Sequence, residues 1–315
     1  MTGRHRILFI LVKVCVSAGL IYWIVDKVDV TAVWASLSSA NPLILLLAFS
    51  LFFVGYYITA LRWQVLLAAQ GVVASIQYLF QSFMVAIFFN NLLPSTIGGD
   101  LSRMYDSWRL GRRKDEAVSV VLVDRLLGVS ALLAYALCAV LVSPTVRERL
   151  PLLLPLIAVG VAAAAVAVWA LFGQRRSLTI AHLRIHKLEK ISAVTKLVDR
   201  AFNAFKDKPH VLRKAILLSL LLQLNVIIHF YLLTRALDIS IPITAMFVII
   251  PISIVIMMLP ISINAIGVRE VTFVYFFTLF GASDSKSLAL AWVAFAFVVL
   301  QGILGGIVFA LRKPA

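Results

Sequence analysis

Charge is scarce in this chain, so chemistry has to be sought where polar residues interrupt apolar sequence. The first such place runs from Asn90 to Arg103 (NNLLPSTIGGDLSR). Pro94 lacks a backbone donor and clashes with the turn before it, and Gly98 and Gly99 raise the cost of helix further. The backbone therefore opens, and in lipid an open backbone must find polar partners in a buried or water-lined site. The second place runs from Met257 to Glu270 (MMLPISINAIGVRE) and repeats the pattern: Pro260, then Asn264, Gly267, Arg269 and Glu270. The third is Asp124 and Arg125, about two turns inside an otherwise apolar run. Amides, arginines and helix N-termini at an opened backbone suit an anion such as a lipid phosphate. No GxxxxGK[ST], HExxH, CxxC or GxSxG pattern is present, so ATP hydrolysis, zinc chemistry and hydrolase nucleophiles lack support. The expectation is a protein without cofactor or metal that is not an enzyme.

Each residue also has a plainer reading. Asp100 is placed to cap a short helix from Leu101 to Leu110 ending at Gly111, with Arg103 in its first turn; the alternative is that both face the opened backbone. Arg269 and Glu270 open a very apolar segment, as ordinary flanking charges at an interface or as markers of a pathway at mid-membrane depth. Asn264 satisfies loose backbone or meets a headgroup. Asp124 and Arg125 point about 100° apart on a helix, so they cannot simply pair with each other. Asp124 then meets Arg103 or Arg269, and Arg125 snorkels or contacts a phosphate. Asn90, Asn91, Gln223, Asn225 and His229 suit interhelical hydrogen bonds. Arg62 and Trp63 read as interfacial anchors, and Lys13 as a snorkelling side chain.

The elements that must position these residues are membrane helices. With 315 residues, 62% hydrophobic and 14% charged, and a mean hydropathy of +1.02, the chain falls outside soluble globular composition. Apolar runs cover Ile7 to Val25, Pro42 to Ala60, Ile76 to Leu93, Ala117 to Val142, Leu150 to Phe172, Ala215 to Leu237, Ile241 to Leu259 and Ser287 to Leu311, each near the roughly 20 residues of a span. Arg4, His5 and Arg6 precede the first run, which reads as an uncleaved helix with no small-residue cleavage site behind it. Cys15 and Cys138 lie inside apolar runs and read as packing residues. The net charge of +15 sits in loops beside helices, which points to anchoring at anionic lipid and away from nucleic acid.

Loop charges set the orientation. Basic residues at both ends place the N- and C-termini in the cytoplasm, and the interval from Asp26 to Asn41 outside. If the Ile76 to Leu93 run crossed fully, Arg103, Arg109, Arg112, Arg113 and Lys114 would lie outside. A re-entrant hairpin turning at Pro94 keeps them inside, and a second hairpin around Pro260 enters from the opposite face. The fold class expected is all-α and polytopic: about six spanning helices plus two re-entrant broken hairpins, with eight full transmembrane helices as the alternative. A single membrane domain, 1–315, would contain repeats 42–142 and 212–311 in opposite orientation, an arrangement typical of secondary transporters. Between them, 173–214 holds eleven Lys or Arg against three acids. Its apolar stripe of Ile180, Leu183, Leu188, Ile191, Val194, Val198, Phe202 and Phe205 reads as an amphipathic cytoplasmic helix on the inner leaflet, or as a partner surface.

The pattern N-x-L-L-P-S-x-x-G-G-D-x-x-R, then V-x-x-D-R-L-x-G from Val121, then L-P-I-S-x-x-A-x-G-V-R-E from Leu259 resembles the lysylphosphatidylglycerol synthase transmembrane, or flippase-like, family. The resemblance covers nearly the whole chain and implies an inner-membrane protein of bacteria that moves lipid between leaflets. It implicates Asn90, Pro94, Gly98, Gly99, Asp100, Arg103, Asp124, Arg125, Pro260, Gly267, Arg269 and Glu270, to which the opened backbone adds Asn91 and Asn264. The chain departs from the family where Asn264 and Ala265 replace a glycine-rich step, and no aminoacyltransferase domain follows Ala315. The expected partners are membrane lipids, through an anionic headgroup or lipid phosphate, with an envelope-lipid synthesis enzyme and a second copy of the chain as further candidates. Against translocation stand two other classes: a non-transporting scaffold for envelope-lipid or polysaccharide synthesis, and a membrane-embedded transferase acting on polyprenyl lipids.

Overall fold

The computed structural model describes residues 15, 18–23, 26, 28–92, 97–111, 114–151, 153–172, 205, 207–259 and 261–312. Lys13, Pro94, Pro260 and the linker stripe from Ile180 to Phe202 lie outside the described residues. All regular structure among the described residues is helical: α1 (Val30–Ser38), α2 (Pro42–Ala69), α3 (Ile76–Leu92), α4 (Ile97–Gly111), α5 (Lys114–Val142), α6 (Pro144–Arg149), α7 (Leu153–Phe172), α8 (Pro209–Ala236), α9 (Ile243–Met257), α10 (Val268–Leu279) and α11 (Asp284–Leu311).

Four helices among the described residues are long and apolar enough to cross a membrane: α2, α5 from Ala117, α8 and α11. Their starts are written locally. Asn41 accepts from the backbone of Leu43 and Ile44 ahead of Pro42, and Ser283 accepts from Lys286 N. Shorter apolar stretches are Ile157–Val166 within α7 and Ile243–Met257. The polar interruptions expected from the sequence fall between short helices. α3 and α4 have 17 and 15 residues, and α9 and α10 have 15 and 12. At 1.5 Å per residue none reaches the roughly 30 Å of hydrocarbon, which weighs against eight full crossings. Two intervals expected to be loops contain helix. α1 forms because Asp29 caps it through Thr31 N and Ala32 N while Val33 is fully buried, and α6 buries Val146.

The outer surface carries many large apolar side chains, and several charged side chains are buried among the helices. Leu43, Leu46 and Leu47 on α2 and Leu300, Ile303 and Ile307 on α11 are exposed, while Arg62, Arg103, Asp124, Arg269 and Glu270 are buried. α4 shows this most clearly: Leu101, Tyr105 and Trp108 share an exposed face, and Arg103, Asp106 and Ser107 are buried behind it. Such a distribution suits a lipid surround. Cys15 and Cys138 also face outward, which corrects their reading as packing residues.

The helices form two series of the same order, long, short, short, long: α2 to α5, and α8 to α11. Their first members lie antiparallel along their whole length. Asn41 N donates to Ala236 O at 2.9 Å at one end, Asn225 Nδ2 to Leu51 O at 3.0 Å midway, and Lys208 Nζ reaches Ala69 O at the other end. His229 Nδ1 lies 2.8 Å from Ala48 O in the same seam. Each series also lends its second helix to the other: α3 packs on α11, and α9 packs on α5. The first of these contacts is very close. A Cβ on Gly305 would stand 2.2 Å from Met84 O, so only glycine permits that crossing.

Two apolar clusters form the core. One joins Trp63, Leu66, Leu79, Val120, Leu127, Phe205 and Leu212; the other joins Ala48, Val140, Leu233, Ile249, Phe273 and Leu290. Along α2, α5 and α8 the two clusters occupy opposite ends, and the buried polar residues Thr59, Asp124 and Gln223 fall near or between them. Phe205, the last residue of the linker stripe, is fully buried against the protein and not laid on a leaflet.

Candidate functional site

Arg62 comes from α2, Asn90 from the end of α3, and Asp100 and Arg103 from α4. α5 adds Asp124, Arg125 and Gly128, and α8 adds Gln223. Together they line a cavity of about 270 Å³, closed by Phe83, Ile254 and Met258 among others. Asp124 is its hub. One carboxylate oxygen accepts from Arg62 Nε at 2.5 Å and the other from Arg103 Nη1 at 2.9 Å. Arg62 Nη1 also donates to Ser219 Oγ at 2.7 Å. All three charged side chains are at most 5% exposed.

Arg103 lies over the face of Trp63, 4.6 Å from the ring centroid, with Phe83 at 5.4 Å. Trp63 is itself fixed by its Nε1, which donates to Ser107 Oγ at 3.1 Å. The Arg103 guanidinium is thus held by cation–π contact and one ion pair, yet its Nε and Nη2 are buried and have no hydrogen-bond partner among the described residues. Arg125 makes a two-pronged pair with Asp100, Nε to Oδ1 at 3.2 Å and Nη2 to Oδ2 at 2.7 Å, at the more open side of the cavity. Among the described residues the lining carries three arginines, Arg62, Arg103 and Arg125, and two aspartates, Asp100 and Asp124.

The end of α3 is tied to the start of α4 by Asn90, whose Oδ1 accepts from Gly99 N at 2.7 Å. A Cβ on Gly99 would come within 2.6 Å of Ala86 O, so α4 can approach α3 only at a glycine. Gly98 is buried in the first turn of α4. Asp100 does not cap α4. The helix begins at Ile97, which puts Asp100 in its first turn with its carboxylate committed to Arg125. Arg62 and Trp63 are likewise not interfacial anchors: α2 continues to Ala69, so neither lies at a helix end.

The remaining sequence candidates gather at the second interruption, outside this cavity. Asn264 Nδ2 donates to Asn91 Oδ1 at 3.0 Å, and Asn91 Nδ2 to Val298 O of α11 at 2.7 Å. The adjacent residues Asn90 and Asn91 thus tie one interruption to itself and to the other. Arg269 Nη2 donates to Asn264 O at 3.1 Å and the guanidinium lies 5.3 Å from the Phe295 ring; its Nη1 is buried without a partner among the described residues. Glu270 accepts from Gly267 N at 2.7 Å, closing the first turn of α10. Asn264 and Ala265 adopt left-handed backbone, φ 48° and 58°, where Gly267 at 83° is the only glycine.

Sequence reasoning missed Arg62, Ser219 and the pair of Asp106 with Arg312, 3.0 Å, which ties α4 to the end of α11. A usable signal existed for Arg62. The residues after it, Gln64 to Ala69, are apolar enough to carry the helix on past the charge.

The fold and cavity define an all-helical polytopic membrane protein with its charge turned inward. The family described as Lysylphosphatidylglycerol synthase TM region matches residues 10–305, and the chain belongs to it. That membership links the protein to lipid handling in a membrane. No curated protein matches the chain.

Proposed function

We propose that this protein translocates a lipid, a phospholipid, an aminoacylated lipid or another envelope lipid, between the leaflets of the bacterial cytoplasmic membrane. The headgroup phosphate enters the cavity at Arg62, Arg103 and Asp124, and the acyl tails stay in the bilayer. The observation that carries this reading is Arg103, buried beside the cavity with two donor groups that have no partner among the described residues while its third is fixed on Asp124. A cavity of about 270 Å³ is close to the lower end of small-molecule sites, room for a headgroup and not for a whole lipid.

Inverted repeats supply the conformational change. The antiparallel pairing of α2 with α8, and the exchange of α3 and α9 between the series, support an inverted relation of 42–142 to 212–311. The α3–α4 and α9–α10 pairs are then re-entrant hairpins, and rocking of one series on the other exposes the cavity to each leaflet. Interfacial aromatics support the placement: Tyr105 and Trp108 are exposed beside Arg109, toward the end where Arg312 meets α4, and Trp34 is exposed on α1 near the start of α11. Both termini are cytoplasmic in this arrangement. No chemical step is assigned to the protein, which acts as a translocator and not an enzyme.

The test is translocation of fluorescent-headgroup lipids in proteoliposomes, with a panel of anionic and aminoacylated lipids. The proposal expects exchange above that of empty vesicles for at least one lipid and loss of it in Arg103→Gln. No exchange for any lipid sinks it. Topology is tested separately with Arg109→Cys in a chain with Cys15 and Cys138 replaced by alanine, which should be labelled only from the cytoplasmic face.

A further inference from the structure

A second cavity, of about 270 Å³, lies on a different face of α5 from the charged one. α5 packs against both α7 and α8, and the space is a slot between them: Ala131 and Ala134 of α5, Ala164 and Ala165 of α7, and Ile216 and Leu220 of α8. Ala131 is buried at its floor and Ala165 is exposed at its mouth. We propose that this slot is a resident-lipid site, which holds one acyl chain of an anionic phospholipid of the cytoplasmic leaflet with the phosphate at Arg213. The inference takes from the proposed function only the cytoplasmic side of the linker.

The lining selects hydrocarbon. Its polar residue, Ser130, donates its hydroxyl to Leu126 O at 2.8 Å within its own helix. Apolar hollows stay dry, and at this depth the surround is lipid chain. Ala164, Ala165, Ile216 and Leu220 lie about 10–16 Å along α7 and α8 from the ends that the linker joins, within one leaflet's half of the roughly 30 Å of hydrocarbon. One turn of helix, about 5.4 Å long and about 10 Å across, fills more than this volume, so a slender chain suits the slot better than a further helix. The headgroup is set by charge. Arg213 is exposed on the α8 face that carries Ile216 and Leu220, three and seven residues on, and Lys214 is exposed beside it. A phosphate at Arg213 therefore stands above the slot that its own chain fills.

The experiment uses the full chain in proteoliposomes with phosphatidylglycerol or phosphatidylcholine carrying a diazirine in the acyl chain, and maps adducts by mass spectrometry. Phosphatidylglycerol should label peptides holding Ala164 or Leu220 at least about fivefold more than phosphatidylcholine. Ala164→Leu with Ala165→Leu fills the slot from its lipid-facing side and should abolish that labelling. Arg213→Gln, at an exposed position, should cut the preference for the anion to less than about half. Labelling no stronger than at Leu300 and Ile303, labelling unchanged by the leucines, or equal labelling by the two lipids overturns the proposal. So does a second copy in the slot, read as a dimer crosslinked through Ala165→Cys in a chain with Cys15 and Cys138 replaced by alanine. Slot labelling without lipid exchange leaves this inference standing and removes the translocator reading; exchange without slot labelling does the reverse.

Discussion

Replacing Asp124 by asparagine should be the most damaging single change in the polar layer. The carboxylate is the sole anion between Arg62 and Arg103, with all three side chains at most 5% exposed. Its loss leaves two buried cations facing a neutral amide, and breaking a buried pair by removing one partner costs about 3–5 kcal/mol. Arg62→Gln is a useful control. It leaves Asp124 paired one to one with Arg103 and strands no buried charge, so although it forfeits the hydrogen bonds of Arg62 to Asp124 and Ser219 it should cost less, about 1.5–3 kcal/mol. The double variant then retains a single cation, and its cost should fall short of the sum of the single ones by about 1–3 kcal/mol. Unfolding free energies from steric trapping in bicelles give all three numbers. If Asp124→Asn costs no more than Arg62→Gln, or if the two effects simply add, Asp124 does not bridge the arginines and the geometry of the cavity is wrong.

Other consequences follow from particular contacts. Ala265→Gly should stabilise the protein by about 1 kcal/mol in the same assay, because alanine at φ 58° carries a penalty that glycine escapes; a loss of stability would contradict the left-handed turn. Asn91→Ala and Asn264→Ala should each destabilise, with a coupling of about 0.6 kcal/mol and at most about 1.7, the range of interhelical hydrogen bonds in membranes; additive effects would show that the two interruptions are not bonded to each other. Gly99→Val should abolish lipid exchange with the protein still in the membrane, since a Cβ there meets Ala86 O at 2.6 Å and pushes α4 from α3; native exchange rates in that variant would refute the close approach.

The sequence marks both interruptions because proline, glycine and charge are expensive in lipid; α3 ends at Leu92, α4 begins at Ile97, and 258–259 and 261–267 are not helical. It also offers Arg103 as a partner for Asp124, since a buried anion needs a cation. It does not show Arg62 as the second partner. An arginine beside a tryptophan is read as an interfacial helix end, but α2 continues because its last two turns pack Leu66 and Leu67 into the core. The capping alternative for Asp100 fails for a related reason: capping residues and first-turn acids share a local pattern, and only the position of Arg125 on α5 decides between them. The left-handed turn at Asn264 and Ala265 has no local signal, because neither residue demands it; the hydrogen bonds to Asn91 and Arg269 hold it in place. α1 and α6 hide in short polar intervals whose single buried valines say little until α11 and α5 are seen beside them.

Whether a headgroup occupies the cavity can be read directly by photocrosslinking. A phospholipid carrying a diazirine on its headgroup, irradiated with the protein in proteoliposomes and mapped by mass spectrometry, should leave adducts on peptides containing Arg62, Arg103 or Gln223, and Arg103→Gln should remove them. Adducts confined to outward-facing positions such as Leu300 and Ile303, unchanged by that substitution, would mean that lipid touches only the outer surface of the protein and that the buried charge serves the fold alone.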